Sequence, residues 1–314
     1  MKLATYEDAR GVRRIGRVDP AASSLLDLQH AHELVHGRPS PHLADMLALI
    51  DGGEKALDLA RSLDAAAPEP ASAPLASVRL LAPLPEPRQM RDCLVFEEHL
   101  KNCFERMEAM TGRRAEVPDV WYRQPIYYKS NRFSVVGPDA EIRWPSYSNL
   151  MDFELELACV IGRTGVDIPK ERAFEHVFGY TIFNDFTARD AQLAEMAGQL
   201  GPAKGKDFDT GNVLGPWIVT RDEIGDSPAL DMVARVNGER WGGGNSRSMH
   251  HGFDDILAFI SRSETLHAGE VIGSGTVGTG CGLELGRFLN PGDVIELEVE
   301  RIGVLRNRLV KPQP

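Results

Sequence analysis

The chain has 314 residues and a formal net charge of −11, and its hydrophobic content of 42% is enough to build a sizeable core. The negative charge disfavours binding to nucleic acid or to an anionic membrane, and no cluster of Lys and Arg with interleaved aromatic residues offsets it. The four cysteines lie without CxxC spacing, which argues against a zinc cluster and against a disulfide framework.

The start of the chain predicts a small region with helices. Its first residues, MKLATYEDARG, contain no apolar signal region, and no apolar run reaches the roughly 18 uncharged residues of a membrane span. We therefore expect a cytoplasmic protein. After a short β-like start, residues 20–37 and 40–63 have apolar residues at helical spacing and begin with Ser or Pro, which predicts helices.

The clearest compositional break is LDAAAPEPASAPLA, residues 63–76, where Ala, Pro and Ser replace periodic patterning. Such a composition is typical of a linker. We therefore predict a small N-terminal domain over residues 1–75 and a catalytic domain over residues 76–314. No chemistry is assigned to the first of these domains.

Strand patterns dominate after the break. Short β-branched runs punctuated by Gly, Pro, Asn and Asp occur at residues 133–137, 154–162, 177–185, 215–220, 232–240, 270–278 and 293–310. Helical patterns are fewer and lie at residues 99–112, 187–198 and 253–262. Because strands and helices do not alternate regularly, we predict an α+β fold that is mainly β, with a large antiparallel or mixed sheet.

The run LMDFELELACVIG places two glutamates two positions apart inside an apolar segment. In a strand, Glu154 and Glu156 share one face and lie about 7 Å apart. One interpretation is an outer strand with a wetted face. The other is a metal site completed by Asp185, where a β-run gives way to the helix start TARDAQ. Three hard carboxylates favour Mg²⁺, Mn²⁺ or Ca²⁺ over zinc or copper.

Several ordered motifs resemble the core signature of the fumarylacetoacetate hydrolase superfamily. They are DFELELACVIG, GYTIFNDFTARDAQ, GKDFDTGNVLGPWIV and PGDVIELEVERIGVLRN, and the resemblance covers roughly residues 88–310. It implies a mixed or antiparallel sheet roll of the fumarylacetoacetase C-terminal type. It also implies that the protein binds a divalent metal, with Mg²⁺ the first choice and Mn²⁺ or Ca²⁺ the others, and that it forms a homodimer. It does not fix the reaction, because the superfamily also contains hydratases, decarboxylases, isomerases and dehydratases.

Two further segments resemble fumarylacetoacetase itself. RDCLVFEEHLKN places an early aspartate ligand on Asp92 and a catalytic histidine on His99. GSGTVGTGCGLEL places a substrate-binding threonine on Thr276 and the glutamate that orients the histidine on Glu284. Without the resemblance, we would interpret His99 as a capping or solvated residue at a helix start.

Three other polar residues match family positions that contact the substrate or its oxyanion, and they are Tyr128, Gln192 and Lys206. Each has a simpler alternative. Lys206 could pair with a neighbouring aspartate at the surface, and Tyr128 or its neighbour Tyr127 could be a core aromatic residue. The sequence does not decide which side chain binds a distal carboxylate of the substrate. The candidates are Lys129, Arg106 and Arg123.

These residues together predict a metal-dependent hydrolase that cleaves a carbon–carbon bond in a β-diketo acid or acylpyruvate. Asp92, Glu154, Glu156 and Asp185 would hold the metal, and a His99–Glu284 pair would activate water. The expected partner is a small anionic keto acid. The alternative is a dehydratase or hydratase, a decarboxylase or an isomerase on the same metal site. A non-catalytic, metal-stabilised binding protein is a third hypothesis.

Overall fold

The computed structural model of the chain describes residues 1–112, 114 and 116–311. In chain order, the strands of these residues are β1 (Lys2–Glu7), β2 (Arg13–Asp19), β3 (Ser24–Asp27), β4 (Ser72–Pro74), β5 (Arg79–Leu80), β6 (Met90–Cys93), β7 (Tyr127–Lys129), β8 (Val135–Val136), β9 (Glu141–Arg143), β10 (Met151–Asp152), β11 (Leu155–Ile161), β12 (Val177–Asp185), β13 (Thr187–Ala188), β14 (Asn212–Thr220), β15 (Asp231–Val236), β16 (Glu239–Asn245), β17 (Val271–Gly273), β18 (Val294–Val299) and β19 (Gly303–Val310). The helices are α1 (Leu28–His36), α2 (Met46–Asp51), α3 (Gly53–Ala66), α4 (Glu97–Thr111), α5 (Asp119–Arg123), α6 (Arg189–Met196), α7 (Arg221–Ile224), α8 (Phe253–Ile260) and α9 (Gly282–Leu285).

The described strands form one large sheet, a smaller second sheet and a two-stranded ribbon. The large sheet has the order β4-β3-β2-β1-β14-β12-β11-β17-β6-β7, with β5 beside β1 and β8 beside β14. The second sheet has the order β16-β15-β18-β19-β9, and β10 pairs with β13 in the ribbon. Most pairs are antiparallel, while β17 runs parallel to β6. The predicted α+β, mainly β fold is confirmed.

The centre of the large sheet is buried on both faces. Every residue of β11, β12 and β14 is buried. Leu155, Leu157 and Cys159 pack into a core that includes residues of the second sheet, whereas Ala158 and Val160 pack into a core that includes the helices α1 to α3. The interpretation of the Glu-containing run as an outer strand with a wetted face is therefore wrong.

The second sheet follows the alternating pattern of a half-buried sheet. Strands β15 and β18 alternate buried and partly exposed residues, and their buried side chains cover the large sheet. The run over residues 232–240 divides at Asn237 and Gly238, which have φ values of 52° and 80°. Positive φ at both positions is the geometry of a tight hairpin turn, and Asn-Gly favours it.

The N-terminal helices begin later than their sequence pattern predicts. Residues 24–27 form β3, and α1 starts only at Leu28, where the Asp27 side chain accepts a hydrogen bond from the His30 backbone N–H. The pattern over residues 40–63 gives two helices that meet at Gly52 and Gly53. A positive φ of 58° at Gly53 interrupts the helical path.

The segment with linker composition is ordered into regular elements. Helix α3 continues to Ala66, and β4 then pairs with β3. Strand β1 pairs with β14, so the N-terminal strands extend the large sheet. The division into residues 1–75 and 76–314 stays a prediction. Among the described residues, no helix combines the length and apolar character needed to cross a membrane.

Candidate metal centre and active site

Four carboxylates converge at one end of the central strands. Asp92 lies in β6, Glu154 directly precedes β11, Glu156 lies in β11, and Asp185 ends β12. Each offers one oxygen, and these oxygens all lie within 4.8 Å of one another. All four residues are buried. The structure therefore brings together the four residues of the predicted metal site.

Glycines at the end of β17 make room for this acidic cluster. A Cβ atom at Gly273 would lie 2.5 Å from the Asp92 Oδ1 atom and 2.8 Å from the Glu156 Oε2 atom. Two residues on, the backbone N–H of Gly275 donates to both carboxylates, at 3.1 and 3.0 Å. Gly275 has a φ of 82°, which a residue with a side chain rarely adopts. The glycines thus allow and orient the close approach of the carboxylates.

Burial raises the pKa of three of the four carboxyl groups in the cluster. Burial, followed by the Asp92 charge, raises the pKa of Glu156 well above its ordinary value. Burial likewise raises the pKa of Asp92, and it raises that of Asp185 to about 7. For Glu154, burial is outweighed by Lys206 and then Arg189, and the pKa falls to about 2. Burial therefore outweighs the positive charge of Lys206 at Asp92, whereas at Glu154 the charges of Lys206 and Arg189 prevail.

Two oxygens of the cluster suit a cation. The Glu156 Oε1 and Asp185 Oδ1 atoms are buried and have no hydrogen-bond partner among the described residues. An unpaired buried carboxylate oxygen is costly unless a cation or a donor meets it. Carboxylate oxygens are the ligands that hard dications prefer. The residues present therefore fit a divalent cation.

Lys206 lies inside the acidic cluster. Its Nζ atom is 2.6 Å from the Glu154 Oε2 atom and 2.6 Å from the Asp185 Oδ2 atom, and it donates to the Thr187 Oγ1 atom at 2.9 Å. Burial alone lowers the pKa of Lys206, but the charges of Asp185 and Glu154 raise it above the ordinary value. The alternative of a surface pair with a neighbouring aspartate is wrong.

Tyr128 also reaches the cluster, and its neighbour does not. Its hydroxyl group donates a hydrogen bond to the Asp185 Oδ2 atom, and the residue lies opposite Asp92 in the pairing of β6 with β7. Tyr127 lies on the other face of that strand because side chains alternate. Tyr128 is thus the tyrosine that contacts the cluster, and its substrate-binding role stays a prediction.

His99 and Glu284 form a buried pair between two helices. The His99 Nδ1 atom lies 2.8 Å from the Glu284 Oε1 atom. The other oxygen of Glu284 accepts from the Asn102 side chain at 2.9 Å and from the Thr279 backbone N–H at 2.7 Å. These donors fix the carboxylate, and the carboxylate fixes the orientation of the imidazole.

The charges around His99 favour its protonated form. Burial lowers its pKa, but hydrogen bonds with Cys281 and Glu284 outweigh this effect and raise the pKa to about 10. Burial raises the pKa of Glu284, and the hydrogen bond with His99 reverses the shift and lowers it. Cys281 forms a β-bridge with Glu154, so the pair adjoins the acidic cluster.

The two remaining site predictions, Thr276 and Gln192, lie beside this centre. Thr276 is buried and directly follows Gly275, whose backbone N–H holds two of the carboxylates. Gln192 lies in α6, and its Oε1 atom accepts a hydrogen bond from Arg189 at 2.9 Å. Their substrate-binding roles stay predictions.

A family model described as the C-terminal part of fumarylacetoacetate (FAA) hydrolase matches residues 91–310. The chain belongs to this family. Human mitochondrial oxaloacetate tautomerase FAHD2A is 34% identical over 266 residues, which cover 84% of this chain and 79% of that protein. Oxaloacetate tautomerase YisK of Bacillus subtilis is 34% identical over 237 residues, which cover 75% of this chain and 74% of that protein.

A solved structure within the fumarylacetoacetate hydrolase family also resembles the whole chain. Fumarylacetoacetate hydrolase EaFAH from Exiguobacterium antarcticum is 31% identical, with a TM-score of 0.75, and the match covers 99% of this chain and 100% of that one. Membership of the family, which the motifs predicted, is thereby confirmed. The names of these relatives include both tautomerases and a hydrolase, so membership does not fix the reaction.

In this member of the fumarylacetoacetate hydrolase family, Arg189 and Asp152 are site residues that the sequence analysis missed. The Arg189 Nη2 atom lies 2.7 Å from the Glu154 Oε1 atom and 2.8 Å from the Asp152 Oδ2 atom. Asp152 accepts hydrogen bonds from the backbone N–H groups of Gly282 and Leu283, at 2.7 and 2.9 Å. Through Arg189 and Asp152, these contacts connect Glu154 to α9, the helix that carries Glu284.

A sequence signal for these residues existed. Asp152 continues the sequence alternation of Glu154 and Glu156, although the structure places it in β10, and three acids at this spacing in an apolar run indicate a cation nearby. Arg189 lies in TARDAQ, the helix start that follows Asp185. It was overlooked because an arginine at a helix start is ordinarily exposed, whereas this one is 2% exposed.

The three candidates for binding a distal carboxylate lie in different places. Lys129 is exposed, and its side chain is on the face of β7 opposite to Tyr128, near Glu264 at 3.7 Å. Arg123 is exposed at the end of α5. The Arg106 guanidinium lies beside Gly286, just after α9. Of the three, Arg106 is placed next to the helix that carries Glu284.

Proposed function

We propose that the chain is a divalent-metal-dependent tautomerase that interconverts the enol and keto forms of a small 2-oxo dicarboxylic acid of the oxaloacetate type. The observation that carries the proposal is the buried His99–Glu284 pair beside four clustered carboxylates. Two relatives named oxaloacetate tautomerases, each 34% identical to the chain, support this choice of reaction. An isomerase is one of the alternatives on this metal site, beside the dehydratase or hydratase and the decarboxylase, whereas hydrolysis is the main prediction from the sequence.

Asp92, Glu154, Glu156 and Asp185 would hold the cation, with Mg²⁺ the first choice and Mn²⁺ or Ca²⁺ the others. When bound, a hard dication supplies positive charge beside the oxygens of a 2-oxo acid, which makes the hydrogens on the neighbouring carbon more acidic. Lys206 adds a second positive charge to the same site and favours an anionic substrate.

Tautomerisation moves one proton between a carbon atom and the oxygen of the adjoining carbonyl group. Glu284 engages the His99 Nδ1 atom, which leaves Nε2 as the atom that exchanges the proton. In the enol-to-keto direction, the imidazolium, which the site favours, gives its proton to carbon, and the neutral imidazole then takes the proton of the enol oxygen. Glu284 stabilises the imidazolium before and after this exchange.

Gln192 and Tyr128 are proposed to contact the substrate. Arg189 donates to the Gln192 Oε1 atom, so the amide N–H₂ group is left to donate to a substrate oxygen. Tyr128 donates to Asp185, which orients that carboxylate within the cluster. Thr276 is proposed to bind the substrate from the loop that follows β17.

Hydrolysis of a carbon–carbon bond in an acylpyruvate or β-diketo acid is the second candidate. A histidine held by a carboxylate can equally remove a proton from water, which then attacks a carbonyl carbon. The name of the structural relative EaFAH, 31% identical, supports this alternative. The two reactions differ in their products, because tautomerisation leaves the carbon skeleton intact.

Product analysis tests the proposal. The purified chain would be incubated with enol oxaloacetate, with an acylpyruvate and with fumarylacetoacetate, each with Mg²⁺, with Mn²⁺ or with a chelator. Metal without protein is the control, because a free dication itself promotes enolisation. We expect metal-dependent loss of the enol absorbance of oxaloacetate without release of carbon dioxide or of shorter acids. Two shorter acids from the other substrates, with no acceleration on oxaloacetate, would favour hydrolysis instead.

A further inference from the structure

A second group of metal-binding side chains adjoins the His99–Glu284 pair. It consists of His99, Cys103 and Cys281, whose ligand atoms all lie within 4.8 Å of one another. His99 and Cys103 are four residues apart in α4 and therefore share a face of that helix. Cys281 directly precedes α9. Sequence spacing cannot reveal this group because Cys281 is remote from α4 in the chain.

One separation within the group is close to that of a tetrahedral site. The Cys103 Sγ atom lies 3.7 Å from the His99 Nε2 atom and 3.8 Å from the Nδ1 atom. With zinc bonds of about 2.3 Å to sulfur and about 2.0 Å to nitrogen or oxygen, tetrahedral angles place donor atoms roughly 3.3–3.8 Å apart. All three ligand atoms lie within 4.8 Å of one another, so side-chain shifts of about 1 Å bring them to these separations around one ion.

Glu284 completes the arrangement. It holds the His99 Nδ1 atom at 2.8 Å, so Nε2, which lies 3.7 Å from the Cys103 Sγ atom, is the nitrogen left to bind an ion. A metal-ligating histidine is commonly oriented in this way by a carboxylate on its other nitrogen. The same hydrogen bond that prepares His99 for proton transfer therefore also prepares it as a metal ligand.

We propose that His99, Cys103 and Cys281 form a second cation site, selective for soft ions such as Zn²⁺ or Cd²⁺, whose occupation inhibits the enzyme. Two thiolates and an imidazole favour such ions over Mg²⁺, whereas the carboxylate cluster has the opposite preference. An ion on Nε2 blocks the atom that exchanges protons. The proposal that these residues bind an ion depends only on their geometry. The proposal that the ion inhibits the enzyme depends also on the proposed function.

The two thiols differ in accessibility. Cys281 is buried, and burial raises the pKa of its thiol well above the ordinary value, so it releases a proton when an ion binds. Cys103 is partly exposed in α4, which gives an ion a route to the site. Cys103 takes no part in the proposed reaction, so it is the residue to change.

The experiment titrates Cd²⁺ into the protein in saturating Mg²⁺ with a phosphine reductant that keeps the thiols reduced. We expect a thiolate-to-cadmium absorption band that saturates near one equivalent, and a parallel loss of turnover. Cys103→Ser should keep its basal turnover in Mg²⁺, lose much of the band, and need about 10–100 times more Cd²⁺ for half inhibition. Cys103→Ala is the second variant, and an unchanged melting temperature shows that each is folded.

Cys159→Ala is the matched control, because this fully buried thiol in β11 is outside the group. It should behave like the unmodified chain. Absence of the band in the unmodified chain would refute the site. Equal sensitivity to Cd²⁺ in Cys103→Ser and the unmodified chain would refute the inhibition, because the ion would then act on the carboxylates. A normal band in a protein without turnover on any keto acid would refute the proposed function and leave the site standing.

Discussion

The narrow gap at Gly273 allows a stringent test of the acidic cluster. Gly273→Ala adds a single methyl group at the end of β17, within 3 Å of both Asp92 and Glu156. The two carboxylate oxygens are the nearest atoms and must give way, and the Phe183 ring, whose Cδ1 atom would lie 2.9 Å from the added Cβ, must shift as well. The substitution therefore changes the cluster without removing any of its charges.

The size of the effect follows from the distances. To move from 2.5 Å to an ordinary contact of 3.4 Å, the Asp92 Oδ1 atom must shift by about 0.9 Å. A metal site tolerates shifts of only about 0.2 Å in its ligand distances. We therefore expect Mn²⁺ to bind about 10–100 times more weakly, which is similar to the loss of one supporting contact. Overpacking should also lower the free energy of unfolding by about 1–3 kcal/mol.

Calorimetric titration with Mn²⁺ measures the affinity, and urea unfolding of the metal-free protein measures the stability. Gly198→Ala is the matched control, because an added Cβ there would meet its nearest atom at 3.2 Å and outside the cluster. Affinity of Gly273→Ala within twofold of the unmodified chain would refute the reasoning. It would mean that Asp92 and Glu156 do not bind one ion in the arrangement seen here.

Three further predictions concern the rest of the site. His99→Ala should lower turnover by about 10²–10⁴-fold while calorimetry finds Mn²⁺ affinity unchanged; a large loss of affinity would make the histidine part of the metal site. Arg189→Met should lower the free energy of unfolding by about 3–5 kcal/mol in urea, because it leaves Asp152 and Glu154 buried without this partner; a loss below about 1 kcal/mol would contradict that role. Mg²⁺ at about 100 times its dissociation constant should raise the free energy of unfolding by about 2.7 kcal/mol. Glu156→Gln should abolish most of this gain, and an equal gain in the variant would place the ion elsewhere.

Local patterns predicted the elements well where local chemistry decides them. The apolar run that contains Glu156 predicted a strand, and it forms β11. The run over residues 232–240, predicted as one strand pattern, instead divides at Asn237-Gly238, where two positive φ values make a tight turn. The patterns failed at residues 24–27, where apolar residues with helical spacing form β3. Pairing with β2 and β4 outweighs helix propensity there.

The sequence by itself determined the α+β class, the family resemblance and the residue types that suit a hard cation. Only the tertiary structure decided that Glu154 and Glu156 are buried, since both faces of β11 are covered by other parts of the chain. It also decided that Lys206 and Arg189 lie among the acids and that Cys281 meets Cys103. These contacts join residues far apart in the chain, and strand pairing and burial, which no local pattern records, bring them together.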